Sequence, residues 1–373
     1  MLKQVQHDGG GALLIVHYSL SIVNYPLCIN SIILTFVLSY YFMEEEKYIV
    51  RYLVIRFSSI GDIVLTTPVV RCLKQQVENA EVHFLTKPAN AGILEPNPYI
   101  DEVHVLKDTY AETIDELREI PFDYVIDLQK NLRSKRIINK LKILDFSFPK
   151  LNWKKWLATS FLKINKLPDI HIVDRYMMAT RLFDVHNDGK GLDYFIPEVE
   201  EVDTKSAFGL EAGSYVAYAI GGQHATKRMP KELISKLCGK VNAYIVLLGG
   251  NSDVEAAEYI CAENENCINL CGMFSLSQSA SVVRQAKYVI THDTGLMHIA
   301  AAFKKDIVSI WGNTIPQFGM TPYMAGEKSK IFEVKDLRCR PCSKLGYEKC
   351  PRGHFRCMSE QNIDEIVEYC NSI

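Results

Sequence analysis

A glycine and an aspartate separate an apolar segment from a helix-like one in RFSSIGDIVLTTPVVRCL, residues 56–73. The apolar residues before them are typical of a buried strand, so Ser59, Gly61 and Asp62 are expected at its carboxyl edge. Open α/β sheets bind ligands at that edge, where small residues leave backbone N–H groups free. The same pattern also fits a plain strand-to-helix turn in which Asp62 caps the helix.

Three glycine-containing turns later in the chain also follow strand-like segments: AIGGQHATKRMP, LLGGNSDVE and ITHDTGLMHIAAA. A turn that ends a strand and begins a helix offers unpaired N–H groups and a positive dipole end, which suit a phosphate. None of them matches the P-loop or the dinucleotide fingerprint. Gly222 lies in the first turn, and Lys227 and Arg228 after it could neutralise a diphosphate or simply be solvated. Together the turns favour a nucleotide-linked ligand.

The third turn carries four candidate ligand contacts. Asp293 or Thr294 could cap the following helix, and Gly295 would allow a close approach. His298 lies four residues after Thr294, on the same helical face. A histidine in this position could contact a ligand or could serve packing alone.

Four of the eleven cysteines form a C-x2-C-x7-C-x6-C pattern near the carboxyl end. A C-x2-C pair is typical of half a zinc site, but the later spacings do not repeat it. A thiol-rich structural loop is the favoured interpretation and a zinc site the alternative. The residues concerned are Cys339, Cys342, Cys350 and Cys357.

Composition points to a globular protein long enough for two domains. The chain has 373 residues, 48% hydrophobic and 23% charged, with a formal net charge of -2. That charge argues against bulk nucleic-acid binding. Residues 9–43 contain no Asp, Glu, Lys or Arg. We interpret residues 1–43 as an extension upstream of the working start near Met43, with a membrane anchor as the alternative.

Strand-like and helix-like segments alternate after Met43, which predicts α/β domains with parallel sheets. The predicted helices include residues 63–77, 110–119, 254–264 and 275–285. A loop rich in Asp, Gly and Pro interrupts the alternation near residue 200. We therefore predict one Rossmann-like domain over 44–200 and a second over 201–373, the latter with a Cys-rich loop at 339–357.

Two of these segments resemble a known family. IRFSSIGDIVLTTPVVRCLK and THDTGLMHIAAAFKKDIVSIWGNTIPQFGMTPY are similar to motifs of glycosyltransferase family 9, the ADP-heptose:lipopolysaccharide heptosyltransferases. The paired patterns G-D-x-x-x-T-x-P and D-T-G-x-x-H-x-A-A lie at the expected separation. The resemblance runs from about Tyr48 to the carboxyl end, and residues 1–43 have no counterpart.

This resemblance implies a GT-B fold, in which two Rossmann-like domains face each other across a cleft. The domain over 44–200 would bind the acceptor and the domain over 201–373 the nucleotide-sugar donor. It also implies inverting, metal-independent transfer of heptose from ADP-heptose to a Kdo-containing lipid A core, with no cofactor. The enzyme would act in the cytoplasm, peripheral to the inner membrane. No nucleic-acid partner is expected.

The family's functional residues can be placed on this chain. The proposed general base falls on Asp62, and the diphosphate-binding lysine falls on Lys227. The donor motif falls on Asp293, Thr294, Gly295 and His298. An acidic residue that holds the donor nucleoside is placed on Glu255 in preference to Asp253.

Two basic segments suit an anionic glycolipid acceptor. QKNLRSKR follows a predicted strand edge and contains Lys130, Arg133, Lys135 and Arg136. These four residues, together with Ser59 and Gly61, are the candidate acceptor contacts. KLNWKKWLATSFLKINK mixes five lysines with Trp153, Trp156 and Phe161, a composition typical of an interfacial helix. A solvated lysine face over core aromatics is the alternative for this second segment.

Departures from the family pattern leave the donor sugar open. Methionine stands in KRMP where an aromatic residue is common, and GGQHATKR lacks the paired hydroxyl residues that some members have before the lysine. A transferase of the same fold could use another nucleotide sugar for a different surface glycan. The remaining alternative is a non-catalytic binding protein for a glycolipid or a nucleotide sugar, tethered by residues 1–43.

Overall fold

A computed structural model describes residues 48–160 and 163–373. The predicted N-terminal extension over 1–43, with its alternative as an anchor, lies outside the described residues, and so does Phe161. Within the described ranges no helix is both long and apolar enough to cross a membrane.

Five parallel strands form the first sheet. They are β1 Val50–Ile55, β2 Ala80–Thr86, β3 Glu102–Val105, β4 Tyr124–Asp127 and β5 Leu144–Ser147. Their spatial order is β3-β2-β1-β4-β5, so β1 is the central strand and pairs with β2 and β4. Its last four residues are buried, as expected for a parallel strand covered on both faces.

Six parallel strands form the second sheet. They are β6 Tyr215–Ala219, β7 Tyr244–Leu248, β8 Cys267–Asn269, β9 Val289–His292, β10 Ile307–Trp311 and β11 Lys330–Glu333. Their order is β11-β10-β9-β6-β7-β8. The chain order reverses between β6 and β9, and open α/β sheets bind ligands at the carboxyl ends of the strands on either side of such a point.

Helices follow most of the strands, as the alternating pattern predicts. Those of the first part are α1 Ile60–Val64, α2 Thr67–Gln76, α3 Tyr110–Arg118, α4 Leu132–Leu141, α5 Asn152–Thr159 and α6 Ile172–Met177. Those of the second part are α7 Thr204–Phe208, α8 Lys231–Cys238, α9 Val254–Glu263, α10 Leu276–Gln285, α11 Gly295–Ala302, α12 Arg356–Ser359 and α13 Ile363–Ser372.

The predicted helix over 63–77 is two helices, because Pro68 lacks a backbone N–H for the bond to the carbonyl of residue 64. The hydroxyl of Thr67 donates to that carbonyl at 2.8 Å, and the hydroxyl of Thr66 donates to the Ile63 carbonyl at 2.6 Å. The sequence analysis missed β5, β11 and α13. Both strands are short, partly exposed edge strands with weak alternation.

A continuous apolar core connects the two sheets. One cluster of buried side chains includes Val54 and Ile126 of the first sheet together with Tyr215 and Val289 of the second. Residues Ile49–Ile373 accordingly form one compact unit. The first sheet ends at residue 147 and the second begins at 215. The predicted domain boundary near residue 200 stays a prediction.

Candidate functional site

A cleft of about 700 Å³ lies at the carboxyl ends of strands from both sheets. Its lining comes from the segments that directly follow β1, β2, β6, β7 and β9. Nine residues singled out from the sequence line this cleft: Ser59, Gly61, Asp62, Gly222, Lys227, Asp293, Thr294, Gly295 and His298. The structure therefore brings together the two motifs that are more than two hundred residues apart in the chain.

The Asp62 carboxylate is held on both of its oxygens. Oδ1 forms an ion pair with Arg56 Nη2 at 2.8 Å, and Oδ2 accepts bonds from the Ser59 amide at 3.1 Å and the Ser59 hydroxyl at 2.9 Å. Burial raises the pKa of Asp62, but the Arg56 charge and the Ser59 hydrogen bonds outweigh burial and hold this pKa below its ordinary value. Asp62 is thus an ionised carboxylate that caps the first turn of α1 and also faces the cleft.

Arg56 itself is fixed by three oxygen atoms. Its guanidinium donates to the Leu128 carbonyl at 2.6 Å, the Ser58 carbonyl at 2.9 Å and the Tyr176 hydroxyl at 3.0 Å. These three hydrogen bonds hold the guanidinium in one orientation. Arg56 therefore sets the orientation of the Asp62 side chain.

Glycines allow α1 and α11 to pack against each other at the base of the cleft. A Cβ atom on Gly61 would lie 2.6 Å from His298 Cδ2, and one on Gly295 would lie 2.8 Å from Ile60 Cγ2. Glycine is not needed at position 61 for a tight turn, because the backbone of Gly61 is helical and its φ is not positive. Gly61 is required for the close approach of the His298 ring.

His298 is buried and neutral. Burial lowers the pKa of His298 to about 4, despite the opposing charge of Asp293. Its Nδ1 atom has no hydrogen-bond partner within the described part of the chain. The ring therefore packs against Gly61 and leaves a buried nitrogen, Nδ1, without a hydrogen bond in the described structure.

Lys227 and Asp293 form a second fixed pair in the cleft. Lys227 Nζ lies 2.6 Å from Asp293 Oδ2 and 3.1 Å from the Asp293 carbonyl oxygen. The Thr314 hydroxyl donates to the same Oδ2 at 2.8 Å. A cation is thus held next to the first turn of α11.

The N-terminus of α11 is open to the cleft. Thr294 occupies the N-cap position, but in the described structure its hydroxyl contacts the Thr291 hydroxyl at 3.3 Å and makes no cap bond to the helix. The expectation that Asp293 or Thr294 caps this helix with its side chain is therefore wrong. Thr294, Gly295 and Leu296 all line the cleft, so the first N–H groups of α11 are available to an anion.

Asp253, rather than Glu255, lies at the cleft. The Asp253 carboxylate is buried, accepts from the Gly250 amide at 2.9 Å and pairs with Arg228 Nη1 at 2.9 Å. The Glu255 side chain is 90% exposed, 3.5 Å from Lys231 Nζ, and does not line the cleft. The acidic side chain that faces the cleft beside β7 is therefore Asp253.

The four basic acceptor candidates lie outside the cleft, on the loop after β4 and on α4. Lys130 Nζ donates to the Phe148 carbonyl at 2.7 Å. The Arg136 guanidinium lies 5.3 Å from the centre of the Tyr110 ring. Both side chains are thus engaged locally, and Arg133 and Lys135 are exposed on α4.

A half-buried lysine that sequence reasoning missed is Lys155 of α5. Burial and the charge of Arg175 lower the pKa of Lys155 to about 8, although Asp62 and Asp293 oppose this effect. Its ammonium group lies 5.2 Å from the centre of the Phe318 ring. Lys155 is thus close enough to interact electrostatically with carboxylates from both sides of the cleft.

Helix α5 turns its tryptophans outward. Trp153 and Trp156 are 69% and 49% exposed, and their ring centres lie 4.9 Å apart. The alternative of core aromatics below a solvated lysine face is therefore wrong. No sequence signal identified Lys155, because its burial depends on the distant residues around Phe318.

The four cysteines of the C-x2-C-x7-C-x6-C pattern are free thiols, three half-buried and Cys357 buried. Among the described residues, they do not place three ligand atoms within 4.8 Å of one another. The loop is tied down by other contacts: Lys163 Nζ donates to the Pro341 carbonyl at 2.7 Å, and the Tyr347 amide donates to the Thr226 hydroxyl at 2.8 Å. The loop therefore supports the turn that carries Lys227.

Known proteins are similar to this chain in sequence. Residues 111–349 match the family model "Glycosyltransferase family 9 (heptosyltransferase)". Lipopolysaccharide heptosyltransferase 1 of Pseudomonas aeruginosa is 25% identical over 322 residues, which cover 79% of this chain and 86% of that protein.

Two solved structures show the same architecture. The structure of E. coli ADP-heptose lps heptosyltransferase II matches with a TM-score of 0.66 and 20% identity, over 86% of this chain and 98% of that one. E. coli heptosyltransferase WaaC with ADP matches with a TM-score of 0.62 and 18% identity, over 86% and 99%. The predicted α/β, GT-B fold is confirmed. Since the family model covers more than half of its residues, this chain belongs to glycosyltransferase family 9.

Proposed function

We propose that this glycosyltransferase moves heptose from ADP-heptose to the Kdo-containing inner core of lipid A, with inversion at the anomeric carbon. One observation carries the proposal: an ionised carboxylate after β1, Asp62, lines the same cleft as a lysine and an open helix N-terminus beside β9. The names of the relatives, which include a lipopolysaccharide heptosyltransferase and an ADP-heptose lps heptosyltransferase, support an ADP-heptose donor and a lipopolysaccharide acceptor. The second sheet would hold the donor and the first the acceptor.

The donor diphosphate would bind between Lys227 and α11. Lys227 supplies positive charge, and the first N–H groups of α11 supply donors in a helix dipole field. Because Lys227 pairs with Asp293 in the described structure, the diphosphate would compete with that carboxylate for the ammonium group. A Cβ atom on Gly222 would lie 3.2 Å from the Thr294 methyl group, so the turn after β6 lies close to this site.

The nucleoside would occupy the part of the cleft beside β7 and α10. Leu248, Phe274 and Leu276 give that part an apolar lining that suits a purine. Asp253 is the acidic group at the same edge, and it replaces Glu255 as the proposed contact to the ribose hydroxyls.

The reaction follows from these positions. Asp62 accepts the proton of the acceptor hydroxyl as that oxygen forms its bond to the anomeric carbon. The bond between this carbon and the diphosphate oxygen breaks on the opposite face, so the configuration inverts. Lys227 and α11 stabilise the negative charge of the departing ADP.

The acceptor would approach from the side of α5. Lys155 adds a positive charge near Asp62, which suits an anionic sugar acid. The exposed Trp153 and Trp156 would contact the membrane surface that carries the lipid, on the cytoplasmic side of the inner membrane. Lys130, Arg133, Lys135 and Arg136 lie outside the cleft and are proposed to contact phosphates of the larger glycolipid.

The first experiment is calorimetric titration of the full chain with ADP, UDP, GDP, CMP and NAD. Selective ADP binding that is lost in Asp293→Ala supports the donor site. A preference for UDP or GDP would move the donor to another nucleotide sugar. The absence of nucleotide binding by a folded sample would contradict the proposal.

The second experiment measures turnover of ADP-heptose with a Kdo-lipid A acceptor, with and without a chelator. Asp62→Asn should lower kcat by about 10²–10⁴-fold, the usual contribution of a general base, and leave ADP affinity unchanged. Asp108→Asn, an exposed carboxylate outside the cleft, is the matched control. Unaltered turnover in Asp62→Asn would refute the assigned base, and activity that is lost with the chelator would refute metal independence.

A further inference from the structure

Two histidines and three glutamates meet at the edge of the first sheet, outside the cleft. His83 on β2 and His104 on β3 point to the same face, because β2 and β3 pair in register with His83 opposite Glu102 and Leu85 opposite His104. Both imidazoles are buried, and Phe122 packs edge-on against both rings, at 4.9 and 6.2 Å between ring centres. This cluster has no part in the proposed transfer reaction.

The two rings turn one nitrogen toward each other and the other nitrogen toward a carboxylate. His83 Nδ1 and His104 Nε2 are 2.9 Å apart. On the outer sides, His83 Nε2 lies 2.8 Å from Glu81 Oε1, and His104 Nδ1 lies 3.4 Å from Glu116 Oε1. The outer carboxylates fix the tautomers: the outer nitrogens carry protons, and the inner nitrogens present lone pairs.

Glu102 supplies the third potential ligand, with its carboxylate beside the inner nitrogen of His83 and the outer nitrogen of His104. Its Oε2 lies 3.5 Å from His83 Nδ1, and its Oε1 lies 3.9 Å from His104 Nδ1. In the described part of the chain, this is the only group of three potential ligands whose atoms all lie within 4.8 Å of one another. The Glu102 side chain is 56% exposed, which gives an ion a path from solvent.

The charges around the cluster leave one carboxylate without a permanent cation. Glu81 pairs with Arg51 at 3.1 Å, and Glu116 pairs with Lys107 at 2.9 Å. Among residues 48–160 and 163–373, the two imidazoles are the only ion-pair partners of Glu102.

We propose that His83 Nδ1, His104 Nε2 and a Glu102 oxygen bind one divalent transition-metal ion of the zinc class. Two imidazoles and a carboxylate form a donor set that zinc prefers, with a water as fourth ligand. Glu81 and Glu116 then act as the outer carboxylates that orient metal-bound histidines. The ion joins the edge strand β3 to β2, and its role is structural.

The geometry requires a small adjustment on binding. Two nitrogens that each lie about 2.0–2.1 Å from a tetrahedral zinc ion are about 3.3 Å apart, so the rings must separate by about 0.4 Å. The competing occupant of the same space is a single proton shared between the two rings. Metal titration distinguishes the two.

The test is titration of the full chain with ZnCl2 and CoCl2 after dialysis against a chelator. The Cys-rich loop could also bind these ions, so the titrations are performed on Cys339→Ser/Cys342→Ser protein. We expect one equivalent of Zn²⁺ to bind and to raise the unfolding midpoint. Bound Co²⁺ should show d–d bands without thiolate charge-transfer absorption.

Variants assign the site. Glu102→Gln, an exposed change that leaves the buried rings intact, and His104→Gln should abolish stoichiometric binding. Glu116→Gln should weaken it by about 10–100-fold, as expected for an outer carboxylate. His186→Gln is the control, since the His186 side chain is exposed and its hydrogen bond in the described structure is to Asp184.

Two results would overturn the assignment. The first is a protein that takes up no Zn²⁺ at one equivalent, which would leave the shared proton as the occupant. The second is uptake that is unchanged in both Glu102→Gln and His104→Gln. If the double serine variant does not fold, the Co²⁺ spectra of the unsubstituted chain and of its Glu102→Gln variant are compared instead. The d–d bands should be weaker in the variant, and equal bands would overturn the assignment.

Discussion

Replacement of Gly61 by alanine should disturb both stability and catalysis, because this glycine lies where α1 meets α11. The new Cβ would lie 2.6 Å from His298 Cδ2, whereas ordinary contacts begin at 3.4 Å, so the helices must separate by about 0.8 Å. His298 is buried and cannot swing into solvent. The structure therefore has to absorb the movement in the helix that carries Asp62.

The size of the effect follows from two opposing terms. Overpacking of this kind costs about 1–3 kcal/mol, and alanine in place of a helical glycine returns about 0.5–1 kcal/mol. The free energy of unfolding should fall by up to about 2.5 kcal/mol. Since a shift near 1 Å at a reacting group can cost about 10²-fold, kcat should fall by about 10- to 100-fold.

Gly92→Ala is the matched control, because a Cβ at Gly92 meets no atom within 4 Å among those described. Urea unfolding and single-substrate kinetics on both variants, in parallel with the parent chain, decide the question. Gly92→Ala should keep the parent's kinetics, and its free energy of unfolding should equal the parent's or exceed it by up to about 1 kcal/mol. If Gly61→Ala is as stable and as active as Gly92→Ala, the proposed close contact between α1 and α11 is refuted.

Three further predictions concern charge. Arg56→Gln removes the cation that lowers the pKa of Asp62, so the acid limb of kcat/KM should move to higher pH; an unmoved limb would refute the pairing. Lys155, with a pKa of about 8, loses its charge as the pH rises through 8, so KM for the anionic acceptor should rise there. Lys155→Gln should remove this pH dependence and exposed Lys154→Gln should retain it. Finally, burial holds the pKa values of His171, His292 and His298 at about 4, 3 and 4. Unfolded imidazoles take up protons near pH 6.5, so stability should fall as the pH drops from about 6.5 toward 4, and a flat urea midpoint over that range would contradict this.

Local patterns were sufficient for most of the fold and for the core of the candidate site. The alternation of apolar strands with amphipathic helices predicted both parallel sheets. The turns after β1, β6 and β9, which were singled out from the sequence, line the cleft. These features depend on residues near one another in the chain. In a parallel sheet the carboxyl ends of all strands lie at one edge, so turns found separately must converge.

Contacts between distant parts of the chain decided the remainder. Gly61 is needed because of a histidine 237 positions later in the sequence, and Lys155 is half-buried because α5 packs beside Phe318. Asp253 replaced Glu255 because the turn after β7 points only the first of them into the cleft. The His83 and His104 pair was invisible in the sequence, since their spacing of 21 residues has meaning only after β2 and β3 pair. The sequence pattern determines which face of each helix or strand is buried. Which residues that face contacts is decided by how the elements pack, because packing sets distances that spacing along the chain does not encode.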